Sequence, residues 1–84
     1  MYILKKHYEA TETNQNFAGE KFDHYSGRAE SMLSDNGYPS EQMINEYGYK
    51  TLSGAKRGLK SAQELCKWEN ELGHWHVTVE LIEA

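Results

Sequence analysis

With 84 residues, 38% of them hydrophobic and 26% charged, the chain has the composition of one small folded domain and not of a disordered tail. A formal charge of −4 at pH 7 argues against a generic polyanion binder, whose affinity is built from lysine and arginine contacts to phosphate. Cys66 is the single cysteine, so no internal disulfide can form, and a reducing compartment, the cytoplasm by default, is expected.

Residues 2–9 are rich in β-favouring side chains and partly alternating, which predicts a first strand. The apolar run of residues 1–4 ends at Lys5 and Lys6, too short for an export signal or a membrane span, so neither is expected. Residues 11–19 form a polar stretch around Asn14, Gln15 and Asn16, a loop with room to move. Between Gly19 and Gly27, Phe22 and Tyr25 fit neither period, and a short strand and a helical turn both stay open.

Ala29, Met32 and Leu33 have the i, i+3, i+4 spacing of an amphipathic helix, with Ser26 as N-cap and Asn36-Gly37 as a stop. Tyr38-Pro39 then marks a turn. Residues 40–48 read either as a two-turn helix capped by Ser40 and burying Met43, Ile44 and Tyr47, or as a strand. Thr51 is the N-cap of the clearest element, a helix over residues 52–72 with an expected buried stripe of Leu52, Ala55, Leu59, Ala62, Leu65, Cys66 and Leu72.

Gly54 and Gly58 each weaken that helix by about 1 kcal/mol relative to alanine, and their placement predicts a close approach to a sheet. Gly73 is the expected C-cap. Residues 74–81 alternate strictly, with Trp75, Val77, Val79 and Leu81 on one face and His74, His76, Thr78 and Glu80 on the other. The plan is therefore α+β: a small sheet including both terminal strands, packed by one long helix, with one or two short helices in the middle.

Motifs for chemistry are sparse. His74 and His76 share a strand face and His7 is placed to neighbour them, but two histidines at i, i+2 fall short of the three or four ligands zinc requires. A solvent-facing strand is the plainer reading, and no metal is expected. Nothing sets Cys66 or a serine beside an activating histidine, and Gly54 and Gly58 lack the Gly-Lys-Ser/Thr signature of a phosphate loop. Neither an enzyme nor a cofactor is expected.

Charge distribution says more than its sum. Residues 9–46 carry eight acids against two bases, a net of −6, while residues 50–67 carry five bases against one acid, a net of +4. Two candidate surfaces follow. Asp23, Glu30, Asp35, Glu41 and Glu46 form a candidate partner-binding set, and Tyr49, Lys50, Lys56, Arg57 and Lys60 an alternative nucleic-acid-binding set. For each, a simple solvated face is the blander explanation.

The segment Tyr47-Gly48-Tyr49-Lys50-Thr51-Leu52-Ser53-Gly54-Ala55-Lys56 resembles the strand-to-helix passage of the three-stranded DNA-binding modules at the start of phage integrases, a resemblance that implies DNA reading by the sheet. No contact residues are carried over. In size and charge the whole chain resembles the compact acidic α+β proteins of phages and mobile elements, including anti-CRISPR proteins. That likeness implies a non-enzymatic protein of the host-cell cytoplasm. It would inhibit or modulate a host protein, such as a nuclease whose basic nucleic-acid channel it fills with carboxylates in place of phosphates. A small nucleic-acid-binding module using the basic helix is the alternative, and a metal- or ligand-binding domain the second alternative.

One expectation is independent of function. Cys66 shares its stripe with Ala55, Leu59 and Ala62, so it should be buried and inert. Thiol labelling of the native protein should be at least tenfold slower than in denaturant, and equal rates would show that the helix phase is wrong.

Overall fold

The computed structural model describes residues 1–84, the side chain of Glu30 excepted. Four strands form one antiparallel sheet in the order β3-β2-β1-β4. They are β1 (Tyr2–Ala10), β2 (Lys21–Ser26), β3 (Met32–Asp35) and β4 (Trp75–Glu83), with helices α1 (Glu41–Tyr47) and α2 (Leu52–Leu72) between β3 and β4. The two terminal strands are neighbours, β1 inside the sheet and β4 at its edge: β4 pairs with β1 from Tyr2↔Glu83 to Ala10↔Trp75.

Alternation in β4 now has a physical meaning. Leu4, Lys6, Tyr8 and Ala10 stand opposite Leu81, Val79, Val77 and Trp75, and this set faces α2, as the buried Val77 and the Lys6–Glu69 ion pair show. Trp75, Val77 and Val79 therefore lie on the helix side, as the sequence predicts. On α2, Ala55, Ala62 and Cys66 are buried against them. Thr51 caps the helix by accepting from the Gly54 amide at 3.1 Å, and Gly73 closes it in the left-handed region at φ 81°.

The other face has its own core. Ile3 of β1 and Tyr25 of β2 pack there with Leu33 and with Ile44 of α1, flanked by Met1, Met43 and Ile82. Ser40 caps α1 by accepting from the Met43 amide at 3.2 Å. The short helix thus covers part of the side that α2 leaves bare.

Several expectations need correction. The apolar spacing of Ala29, Met32 and Leu33 does not make a helix: a 3-10 turn spans Arg28–Glu30 and the chain then extends as β3. Ala29 sits at φ 55°, which interrupts an α-helix, and Leu33 finds its partners in Tyr25 and Ile44, beyond the reach of one helical turn. Residues 21–26 are strand and residues 41–47 helix, which resolves the two segments left open. In the first loop Asn14 is 7% exposed and donates to the His74 carbonyl at 3.0 Å, while Thr13 donates to Gly73 at 2.8 Å; the loop is tied to the start of β4. Gly54 and Gly58 do not bring α2 against the sheet. Gly58 makes room for the Tyr49 ring, whose hydroxyl occupies the place a side chain there would take, and a side chain at Gly54 would meet the Thr51 hydroxyl first.

Gly27 provides the sharpest test of this packing. A side chain there would run into the Tyr47 carbonyl oxygen at the end of α1, backbone that cannot swing aside. Gly27→Ala should lower stability by about 2 kcal/mol or more in urea unfolding. A loss under about 0.5 kcal/mol would show that α1 does not dock as described.

Candidate docking groove

The link between α2 and β4 is two residues long, Gly73 and His74. A helix of 21 residues rises about 31 Å and a nine-residue strand spans about 30 Å, so β4 runs back beneath α2 for its whole length. The helix accordingly lies over β4 and β1. Two clefts lie in line along the flank of α2 that faces away from β4, one toward β2 and one beside the first loop, and together they make the candidate groove.

At one end the floor is aromatic. Tyr8 of β1 stacks on Phe22 of β2, its register partner, with centroids 4.7 Å apart and planes 7° from parallel. Trp75 meets Tyr8 and Phe22 edge-on at 6.0 and 5.4 Å, and Phe17 from the first loop leans on Trp75 at 5.7 Å. Above this floor Trp68 and Leu72 line a cleft of about 460 Å3, yet they are 59% and 54% exposed. Leu65, one turn earlier, is 47% exposed.

The other end mixes polar and apolar groups. A second cleft of about 450 Å3 lies between Arg57, Gly58, Ser61 and Leu65 of α2 and His24, Ser26 and Gly27 at the β2 side, with Tyr49 at its end. Between the two clefts Lys6 and Glu69 form a half-buried ion pair at 3.0 Å. His24 is held by Asp35 at 2.8 Å. Burial pushes the Tyr8 phenol well above its ordinary range, with the Glu69 carboxylate adding to the effect. Burial also raises the Cys66 thiol, partly offset by Lys6, so neither group ionises near neutral pH.

The expected buried stripe is thus only half right. Ala55, Ala62 and Cys66 are buried and Leu59 half-buried, but Leu52, Leu65 and Leu72 are exposed. At 100° per residue the seven side chains fan over roughly 160°, wider than the arc a helix presses on one flat layer. That width was the available signal for an uncovered flank. Trp68, a large apolar residue outside the stripe, was the second.

The structure scatters the acidic set. Asp23 lies on the face away from α2, accepting from His7 Nδ1 at 2.6 Å with Lys5 at 3.9 Å. Asp35 stands at the groove side with His24. Glu41 and Glu46 are exposed on different sides of α1, and the Glu30 side chain lies outside the described residues. Of the basic set, Arg57 and Tyr49 line the second cleft. Lys50 precedes the helix, and Lys56 and Lys60 are exposed one turn apart on the far flank. The three histidines do not assemble: His74 precedes β4, and no group of three metal-ligating side chains occurs among the described residues. No helix is long and apolar enough to cross a membrane. No protein-family model, curated protein or solved structure matches the chain.

On the face opposite the groove His7 bridges Asp23 and Glu9, the latter at 3.0 Å. The Asp23 bond, then the Glu9 bond, raises the His7 pKa above 6.5, and the His7 bond lowers Glu9 below 4.5. A raised histidine adds stability below its unfolded value and loses it as pH rises through the folded one; a lowered carboxylate adds stability above its unfolded value and loses it as pH falls. The stability excess of wild type over His7→Gln should therefore be largest between pH 4.5 and 6.5 and shrink on both sides. Urea midpoints across pH 3 to 9 at low salt measure it, and a pH-independent difference would contradict the bridge.

Proposed function

We propose that this protein is a binding module with no catalytic step of its own, and that it docks another protein along the exposed flank of α2. One observation carries the reading: Leu65, Trp68 and Leu72 fall on one helix flank at i, i+3 and i+7 with about half their surfaces in solvent, and Phe17 extends the same patch. Contiguous exposed apolar surface of this kind marks interaction sites, and a half-exposed tryptophan over an aromatic floor is the type of residue that dominates binding energy. Leaving such side chains uncovered gains the fold nothing.

The acidic residues have a supporting role in this reading. Asp23 and Asp35 are already engaged by histidine and lysine, which leaves Glu41 and Glu46 on α1 to steer a basic partner. If the resemblance to phage and mobile-element proteins extends to biology, the docked molecule is a host protein, a nuclease with a basic channel being one case, and the site of action is the host cytoplasm. A second reading has its own observation. Residues 50–63 hold Lys50, Lys56, Arg57 and Lys60 and no acid, which suits a nucleic-acid backbone.

Capture from a bacterial lysate by the tagged chain, with nucleic acid digested, separates the two. The triple substitution of Leu65, Trp68 and Leu72 to serine should weaken recovery of a specific partner at least 30-fold, as expected for a hot-spot tryptophan worth about 2 kcal/mol or more. The fold should persist because these side chains are half-exposed. Reversal of Glu41 and Glu46 to lysine should slow association with a smaller effect on dissociation. Undiminished recovery by the serine variant would refute the docking surface, and loss of recovery on nuclease treatment would favour nucleic acid.

A further inference from the structure

We propose that the groove receives an extended segment of the partner protein carrying an apolar anchor and, about five residues away, one or more carboxylates. This rests on the docking reading above and adds the chemistry of the occupant. The two ends of the groove differ in what they lack. At the aromatic end Trp68 and Leu72 stand half in solvent over Trp75, and an apolar side chain inserted there removes water from all three.

At the other end the unmet need is negative charge. Two cations, Lys6 and Arg57, line this compartment together with the His24 imidazole. Lys6 is held by Glu69 at 3.0 Å and His24 by Asp35 at 2.8 Å. Arg57 takes part in no ion pair among the described residues, and α2 has no acid from residue 52 to residue 63. A guanidinium presents a planar fork of donors matched to a carboxylate, and the hydroxyls of Ser26 and Ser61 line the same cleft.

Spacing follows from helix geometry. Arg57 and Trp68 are eleven positions apart on α2, about 16 Å along the axis. An extended chain covers that distance in about five residues. Midway the occupant crosses the Lys6–Glu69 pair, a polar saddle that suits peptide N–H and C=O groups and not a second apolar side chain. A phosphate chain suits the groove poorly. Lys56 and Lys60 lie on the far flank, so among the described residues Arg57 is the one cation without a carboxylate partner along this path, and a chain of repeated phosphates needs several.

The test uses the 84-residue chain and an array of fluorescein-labelled peptides, each with a Leu-Leu anchor and a Glu-Glu pair three to eight residues away, read by anisotropy. Matched peptides carry Lys-Lys in place of Glu-Glu, and nine-residue oligo(dT) and oligo(U) form a separate arm. The best glutamate peptide should bind at least tenfold tighter than its lysine counterpart, with an optimum near a spacing of five. Arg57→Glu and Trp68→Ala should each weaken it at least tenfold at unchanged thermal midpoint, whereas the double reversal K56E/K60E should change it less than twofold. Equal binding of glutamate and lysine peptides, no binding by either, indifference to Arg57→Glu, or tighter binding of an oligonucleotide at the same residues would each overturn the proposal. If capture of the lysate partner still depends on Trp68 in such a case, the docking surface stands and only its acidic occupant falls. If capture ignores Trp68, the docking surface itself falls.

Discussion

The two-residue turn from α2 into β4 governs the rest of the molecule. Gly73 enters the left-handed region, a conformation that costs an L side chain roughly 1–2 kcal/mol and glycine almost nothing. The strand can then reverse directly under the helix that precedes it. The turn is fastened from both sides. Thr13 and Thr11 donate to the Gly73 carbonyl and Asn14 to that of His74. Asn70, in the last turn of α2, donates to the Val77 carbonyl at 2.9 Å and accepts from its amide at 2.7 Å. Its side-chain amide occupies the outer edge of β4 where another strand would pair, protecting an edge that could otherwise recruit a second chain. With α2 held over β4 and β1, its flank that faces away from β4 stays open.

This placement explains why a sheet of four strands has two unlike faces. Under α2 the small side chains Ala55, Ala62 and Cys66 are buried, as are Leu4 and Val77 on the sheet face below, and the flank beyond them is open. On the opposite side α1 is only seven residues long, and its Ile44 joins Ile3, Tyr25 and Leu33 near one end of the sheet. The far end of that face is polar, with Lys5 between Asp23 and Glu80 and His7 between Asp23 and Glu9. Exposed pairs of this sort contribute little individually. They let the sheet present water-facing charge without a helix above it.

The legible parts of the sequence were those whose pattern is enforced by near neighbours. The alternation of residues 75–81, the caps at Ser40, Thr51 and Gly73, and the burial of Cys66 all follow from local periodicity or local hydrogen bonding, and the structure has each of them. The segment holding Ala29, Met32 and Leu33 has the spacing of a helix, while the forces that extend it lie outside any helical turn: pairing with β2 and packing with Ile44. The groove was hidden for a related reason. Leu52, Leu65 and Leu72 are all exposed because the sheet does not reach beneath them, and sequence periodicity records only that they share a side of the helix.

Charge shows the same distinction between composition and placement. A net of −6 over residues 9–46 reads as an acidic surface, but folding sets Asp23 against Lys5 and His7 and Asp35 against His24, so part of that charge is met inside the fold. The basic half of α2 is not treated alike. Residues 52–63 contain no acid, the nearby carboxylates Glu69 and Asp35 already have partners, and Arg57 is left facing the cleft. The overall charge of the chain therefore misdescribes its open groove. An acidic chain can thus leave a basic side chain facing a cleft, because the carboxylates nearest to it are held by other groups of the same fold.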